Sequence, residues 1–207
     1  MRVNRGIQVK QADEILAFWI DELGPSGWYS VNKSVDDHIR EKFKFTWEQS
    51  QVGACGLWLT DAPGALAYII LTDQFSRNMY RDDARAFASD KTARAAAKVA
   101  IDRDWDRSIP EPERQFFYLP LMHSENLIDQ DRAVRLIHSR LPDTGASTLE
   151  HAKVHRAIIR KFGRFPYRNA ALSRVMTPAE QMFLDDGGYG AAYREHVAYI
   201  AWSGLID

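Results

Sequence analysis

The sequence predicts an all-α fold. Apolar residues recur at intervals of three and four, and no segment of useful length alternates apolar with polar residues as a half-buried strand does. The capping signals all bound stretches of helical length.

The first helix is expected over Gln11–Leu23, where Ile15, Leu16, Trp19, Ile20 and Leu23 share a face and Gly24-Pro25 ends the run. Ser34 with Asp37 resembles a capping box, and Val35, Ile39, Lys42 and Phe43 carry a second helix to about Trp47. Glycines 53 and 56 weaken any helix between Gln49 and Thr60, although Leu57 and Trp58 suggest a short buried turn. Asp61, with Pro63 just inside, opens a strongly apolar helix through Leu66, Ile69 and Ile70 into Asp73-Gln74-Phe75-Ser76-Arg77-Asn78. Ser89 is placed to cap a helix rich in alanine (Ala93, Ala95, Ala96, Ala97, Ala100), whose small side chains let another helix come close. Pro110-Glu111-Pro112-Glu113 suits a helix's first turn, where amides are unpaired and acids favour the dipole, and Pro120 should break or kink that helix. Ser147 and Glu150 form a second box, ahead of a helix closed by Gly163 as its left-handed C′ residue. Thr177-Pro178-Ala179-Glu180 is the strongest start signal. Gly187-Gly188 ends that short helix, and Tyr189–Trp202 forms another, with Tyr193, Val197 and Ile200 aligned. Short helices with short links imply stacked antiparallel pairs, as a bundle or a repeat superhelix, and no clean 34-residue period is present.

At 207 residues with no convincing linker, the chain is expected to be a single domain with a core that needs neither disulfides nor structural metal. Its 27 Lys+Arg against 28 Asp+Glu argue against generic nucleic-acid binding, which takes its affinity from many cations on phosphates. No apolar run approaches the roughly 18 residues of a membrane span, and Met1–Lys10 lacks a signal-peptide core. A cytoplasmic location is expected, and lone Cys55 fits a reducing compartment.

Three clusters carry possible chemistry. Between His151 and Arg174 lie seven cations, Lys153, Arg156, Arg160, Lys161, Arg164, Arg168 and Arg174, and no acid. Arginine forks suit carboxylate or phosphate, and Arg164 and Arg168 sit in the aromatic turn Gly163-Arg164-Phe165-Pro166-Tyr167-Arg168-Asn169, while the cations before it suit a solvated helix face. In Asp73-Gln74-Phe75-Ser76-Arg77-Asn78-Met79-Tyr80-Arg81, Asp73 and Arg77 are one turn apart, the spacing of an intrahelical ion pair. Its Phe-x-Arg-Asn echoes the other turn, and two such turns facing across one groove would each supply a fork and an amide. The third cluster is Glu113-Arg114, Tyr118 and His123-Ser124-Glu125-Asn126, where a histidine near a carboxylate suits acid/base work, although residues two apart on a helix face different ways. His151 and His155 share a helical face but lack the glutamate of a zinc-protease helix, and no nucleotide-binding loop is present, so neither metal nor cofactor is expected.

The motifs Leu16-Ala17-Phe18-Trp19, Leu66 through Arg81, Glu113-Arg114, Tyr118-Leu119-Pro120-Leu121-Met122-His123-Ser124-Glu125 and Phe162 through Asn169 together resemble a bacterial family known as domain of unknown function 924. The likeness runs from about Ile15 to Leu184. It departs at Ser76, Tyr167 and Ser173, where the family usually has Pro, often His and often Gly. The resemblance implies antiparallel helix pairs in a tetratricopeptide-repeat-like α-α superhelix, with a family-like core at about 11–186 and a helix at 189–204 appended. It implies no activity.

The resulting expectation is a domain whose concave face binds a small anionic ligand or an acidic peptide end. Arg77, Arg164 and Arg168 would bind charge, Asn78 and Asn169 would orient it, Asp73, Glu113 and Glu125 would hold the arginines, and His123 would lie in the same set. The alternative is a hydrolase or transferase using His123 as general acid/base, oriented by Glu125 or Glu113. A third reading makes all three clusters structural ion pairs and leaves function to protein partners on the outer surface.

Overall fold

The computed structural model describes residues 5–203, so Met1–Asn4 and the expected helix end at residue 204 lie outside the described residues. Every regular element among them is helical. The chain divides into two compact units, residues up to Pro120 and residues from Leu121.

In the first unit, α1 (Arg5–Leu16) continues as a wider π-helical stretch, Ala17–Leu23, that turns Phe18 and Trp19 into the core. Phe75 meets Trp19 at 5.3 Å and Phe43 at 4.9 Å between ring centroids, and the Trp28 indole N–H donates to the Trp19 carbonyl at 2.7 Å. Helix α2 (Lys33–Gln51) buries Asp36, Ile39, Phe43, Thr46, Trp47 and Ser50. It outruns the expected Trp47 end because Trp47 and Ser50 still face the core. Lys42, expected on that face, is exposed. Its cap is also corrected: Asn32, in extended backbone, accepts from the Ser34 and Val35 amides, while Asp37 turns to Lys33 and Arg40.

Asp61 caps α3 (Ala62–Ile69) as expected, accepting from the Gly64 amide at 2.8 Å. A Cβ on Gly64 would lie 2.3 Å from the Trp58 carbonyl, so only glycine lets the Gly56–Thr60 turn pack there; that turn buries Trp58 alone, and Leu57, expected buried with it, is 47% exposed. The rod continues through a π-helical stretch, Ile70–Phe75, to Ser76–Met79, almost wholly buried. Helix α4 (Asp90–Asp102) sets Ala93, Ala97 and Ala100 fully buried against it. Ser89 precedes α4, but its hydroxyl does not cap it; it accepts from the Trp47 indole and donates to the Thr72 carbonyl, tying three elements together. The expected helix after Pro110 is instead a 3₁₀ turn, Glu113–Phe117, followed by a single α-turn, Leu119–Met122, that holds Pro120 in its first turn. Pro120 lacks the amide that would continue a helix from Phe117, so the chain starts a new turn there.

In the second unit, α5 (Leu127–Arg140) packs against α6 (Ala146–Phe162), which Gly163 closes at φ +70° as expected. The Ser147/Glu150 box does not form: Gly145 precedes α6 without a side-chain cap, and Glu150 serves Lys153 and His196. Thr177 and Glu180 do form the reciprocal box that opens α7 (Pro178–Asp185). Helix α8 (Gly188–Ser203) packs Tyr189, Ala192 and Tyr193 on the core of Val154, Ile158, Ile159 and Phe165. No described helix is long and apolar enough to cross a membrane.

Candidate anion-binding cleft

A concentration of charge lies in the first unit. Helical spacing puts Lys33, Asp37, Arg40 and Lys44 on one stripe of α2, beside buried Asp36. The segment Asn78–Arg85 supplies the opposite wall, and the two enclose a cleft of about 430 Å³. The Asn78 amide donates to Asp36 Oδ1 at 2.8 Å, and Arg81 grips the same carboxylate through Nε and Nη2. Arg40 reaches across to donate Nε and Nη2 to the Met79 carbonyl, at 3.2 and 2.7 Å, while its Nη1 holds Asp37. Arg85 lies over the Tyr80 ring at 4.4 Å and binds Asp83 through Nε and Nη2. Between these arginines Asp82 adopts φ +60°, a left-handed conformation uncommon away from glycine.

Five cations (Lys33, Arg40, Lys44, Arg81, Arg85) face three carboxylates (Asp36, Asp37, Asp83) in the cleft, an excess of two positive charges in a chain whose net charge is −1. Side-chain and backbone hydrogen bonds from Arg85 hold Asp83 down at about 2, and the Lys33 hydrogen bond lowers Asp37. These two carboxylates therefore stay ionised at neutral pH. Among the described residues Arg81 Nη1 and Arg85 Nη1 donate to no protein atom, and Lys44 has only a 3.8 Å contact with Glu48. These donors fit an incoming carboxylate or phosphate.

Of the residues singled out from sequence, Asn78 lines this cleft, but it orients Asp36. Asp73 and Arg77 form the expected one-turn pair, with the Arg77 Nη1 3.1 Å from Asp73 Oδ1, and Asp90 adds a second carboxylate at 2.9 Å. Glu113 sits half-buried at the start of its 3₁₀ turn. The remaining residues belong to the second unit. Arg164 binds Glu180 through Nε and Nη2, and the Val175 carbonyl as well. Glu125 accepts from Arg174 with both oxygens and from the Phe165 amide at 3.0 Å. These donors lower its pKa although burial opposes them. The orienting carboxylate expected for His123 is thus engaged elsewhere; His123 stands 6.4 Å from His155 between ring centroids. Arg168 is buried over the Phe165 ring at 4.5 Å, and fully buried Asn169 donates to Met176 Sδ. His151 and His155, on one face as the spacing requires, turn to Tyr189 and to the His151 carbonyl. Among the described residues no group of three or more His, Cys, Asp or Glu is arranged to hold a metal ion.

A family model for a bacterial protein of unknown function, DUF924, matches residues 15–188, five-sixths of the chain. The chain belongs to the DUF924 family. A solved structure similar to it, a protein of unknown function (ATU0120) from Agrobacterium tumefaciens, is 37% identical with a TM-score of 0.81, covering 87% of this chain and 99% of its own. No curated protein matches the chain. Within the DUF924 segment the charged cleft residues missed from sequence are Lys33, Asp36, Arg40, Lys44, Asp83 and Arg85. The signal that points to the α2 cations is the i, i+4, i+7, i+11 spacing of Lys33, Asp37, Arg40 and Lys44, which sequence alone does not distinguish from a solvated face.

Proposed function

We propose that this DUF924 protein is a cytoplasmic, tetratricopeptide-repeat-like binding protein that takes a small anionic ligand, or the acidic end of a peptide, in the cleft between α2 and Asn78–Arg85. The observation that carries the reading is the convergence of five cations on one cleft, with arginine donors pre-aligned by Asp36, Asp83 and the Met79 carbonyl. Pre-alignment removes the ordering cost that a free arginine meets on binding. Cys55, buried and free of any disulfide, fits the cytoplasmic setting.

A thermal-shift panel of inorganic phosphate, pyrophosphate, dicarboxylates, nucleotides and short acidic peptides tests this. A ligand at a hundred times its dissociation constant adds about 2.7 kcal/mol, roughly 5–10 °C for a chain of this size. The shift is expected to vanish in the double variant Lys44→Glu, Arg85→Glu, whose side chains are 48% and 59% exposed, with helical circular dichroism checking that the variant is folded. A shift retained there and lost in Arg168→Ala would reject the cleft.

The interaction-scaffold reading keeps support from one feature. Arg164–Glu180 and Arg174–Glu125 are two-toothed pairs occupied with each other, as fold-fixing networks are.

A further inference from the structure

The second unit carries a groove and a set of knobs on one surface. Helices α6, α7 and α8 enclose a hollow of about 610 Å³, floored by Val154, Ile158, Phe162 and Phe183, with the small residues Ala157 and Ala191 widening its mouth. The first half of α8 is anchored to α6: His196 pairs with Glu150 at 2.6 Å, and Tyr193 stacks on His151 at 4.3 Å. Its second half is different in kind. From Val197 to Trp202 there is no charged residue, and Val197, Tyr199 and Trp202 are 41%, 64% and 62% exposed. Tyr199 and Trp202, three residues apart, share one face of this uncharged stretch, and large apolar side chains exposed together mark an interface.

We propose that a second copy of this chain covers it, the Tyr199/Trp202 knobs of each protomer seating in the groove of the other about a two-fold axis. Two observations favour a second copy as the occupant. Tyr199 is exposed and also lines the groove, so knob and hole adjoin, and a two-fold axis beside it makes both contacts at once. The area also suffices. On the scale of 150–250 Å² for an aromatic side chain, Tyr199 and Trp202 expose roughly 200–300 Å² per copy. Removing that and a matching area of groove wall in both copies comes to on the order of 1,000 Å², the threshold of a specific interface before exposed Met182 of the groove is added. The DUF924 segment ends at residue 188, where α8 begins, so the knobs lie beyond the family segment while the α6 and α7 walls of the groove lie within it.

Light scattering after size exclusion, run on the full chain across a dilution series, tests the proposal. The wild type is expected at twice 23.7 kDa, and Tyr199→Glu with Trp202→Glu at the single-chain mass with unchanged helical circular dichroism. Ala157→Arg, which fills the hole and leaves the knobs intact, is expected to be monomeric too. A wild type that is monomeric throughout overturns the proposal. So does a dimer that survives either variant.

Discussion

Asp36→Ala is expected to destabilise the first unit by about 2–3 kcal/mol and to lower its Tm by roughly 5–10 °C. Asp36 is 6% exposed, and its two oxygens receive Asn78 and both teeth of Arg81. Removing it leaves a guanidinium and a buried amide without their acceptor, the costly way to break a pair. The Arg81 side chain is 38% exposed, so water recovers part of the loss and the figure falls below that of a fully buried pair. The same carboxylate opposes an anionic ligand. In Asp36→Asn, which keeps an acceptor for Asn78, phosphate affinity should rise several-fold as the cleft gains a positive charge. Chemical denaturation and a phosphate titration read the two effects. Unchanged stability in Asp36→Ala would show that the Asn78–Asp36–Arg81 arrangement does not hold the cleft together.

Acid should weaken the second unit well before ordinary carboxylates titrate. The His155 ring lies 5.3 Å from Phe165 and 4.9 Å from Tyr189, and its Nδ1 bonds the His151 carbonyl at 2.8 Å. Burial first, then the charges of His123, Arg168 and His151, push its pKa down to about 3 against an ordinary 6.5, although the backbone hydrogen bond opposes them. The folded state thus refuses a proton that the unfolded chain accepts. The stability this group contributes is complete above pH 6.5 and falls as pH drops from 6.5 towards 3, by about 1.4 kcal/mol per unit, or about 2 kcal/mol at pH 5. Glu125 and Glu180, held below the usual carboxylate range, add a second loss below about pH 4.5. Urea melts from pH 8 to pH 4 check the sign and the onset. His155→Leu should flatten the curve between pH 6.5 and 5, and a wild type already flat there would show that His155 carries none of the acid sensitivity.

The parts of this molecule legible in sequence are those decided within one or two turns. Thr177-Pro178-Ala179-Glu180 forms its capping box because donor and acceptor lie three residues apart, and Gly163 ends α6 because φ +70° is open to glycine. Asn32 and Ser34 are both good caps two residues apart, and only the extended backbone at Asn32 decides between them. Ser89 looks like a cap locally, but its hydroxyl goes to Trp47 and Thr72, 42 and 17 residues away. The cleft failed to show for the same reason. Arg40 meets the Met79 carbonyl across 39 residues and Arg81 meets Asp36 across 45, so on α2 alone Lys33, Arg40 and Lys44 read as a solvated stripe. The arginines that did stand out, Arg77 and Arg164, stood out for their motifs, yet both carry carboxylate partners.

The most direct test of the anion cleft is a titration of the isotope-labelled protein with inorganic phosphate, followed by backbone amide chemical shifts. The cleft predicts saturable changes confined to Lys33–Lys44 and Asn78–Arg85, lost in Lys44→Glu, Arg85→Glu. Changes confined to residues beyond Leu121, or none at phosphate concentrations that shift free arginine, would contradict it.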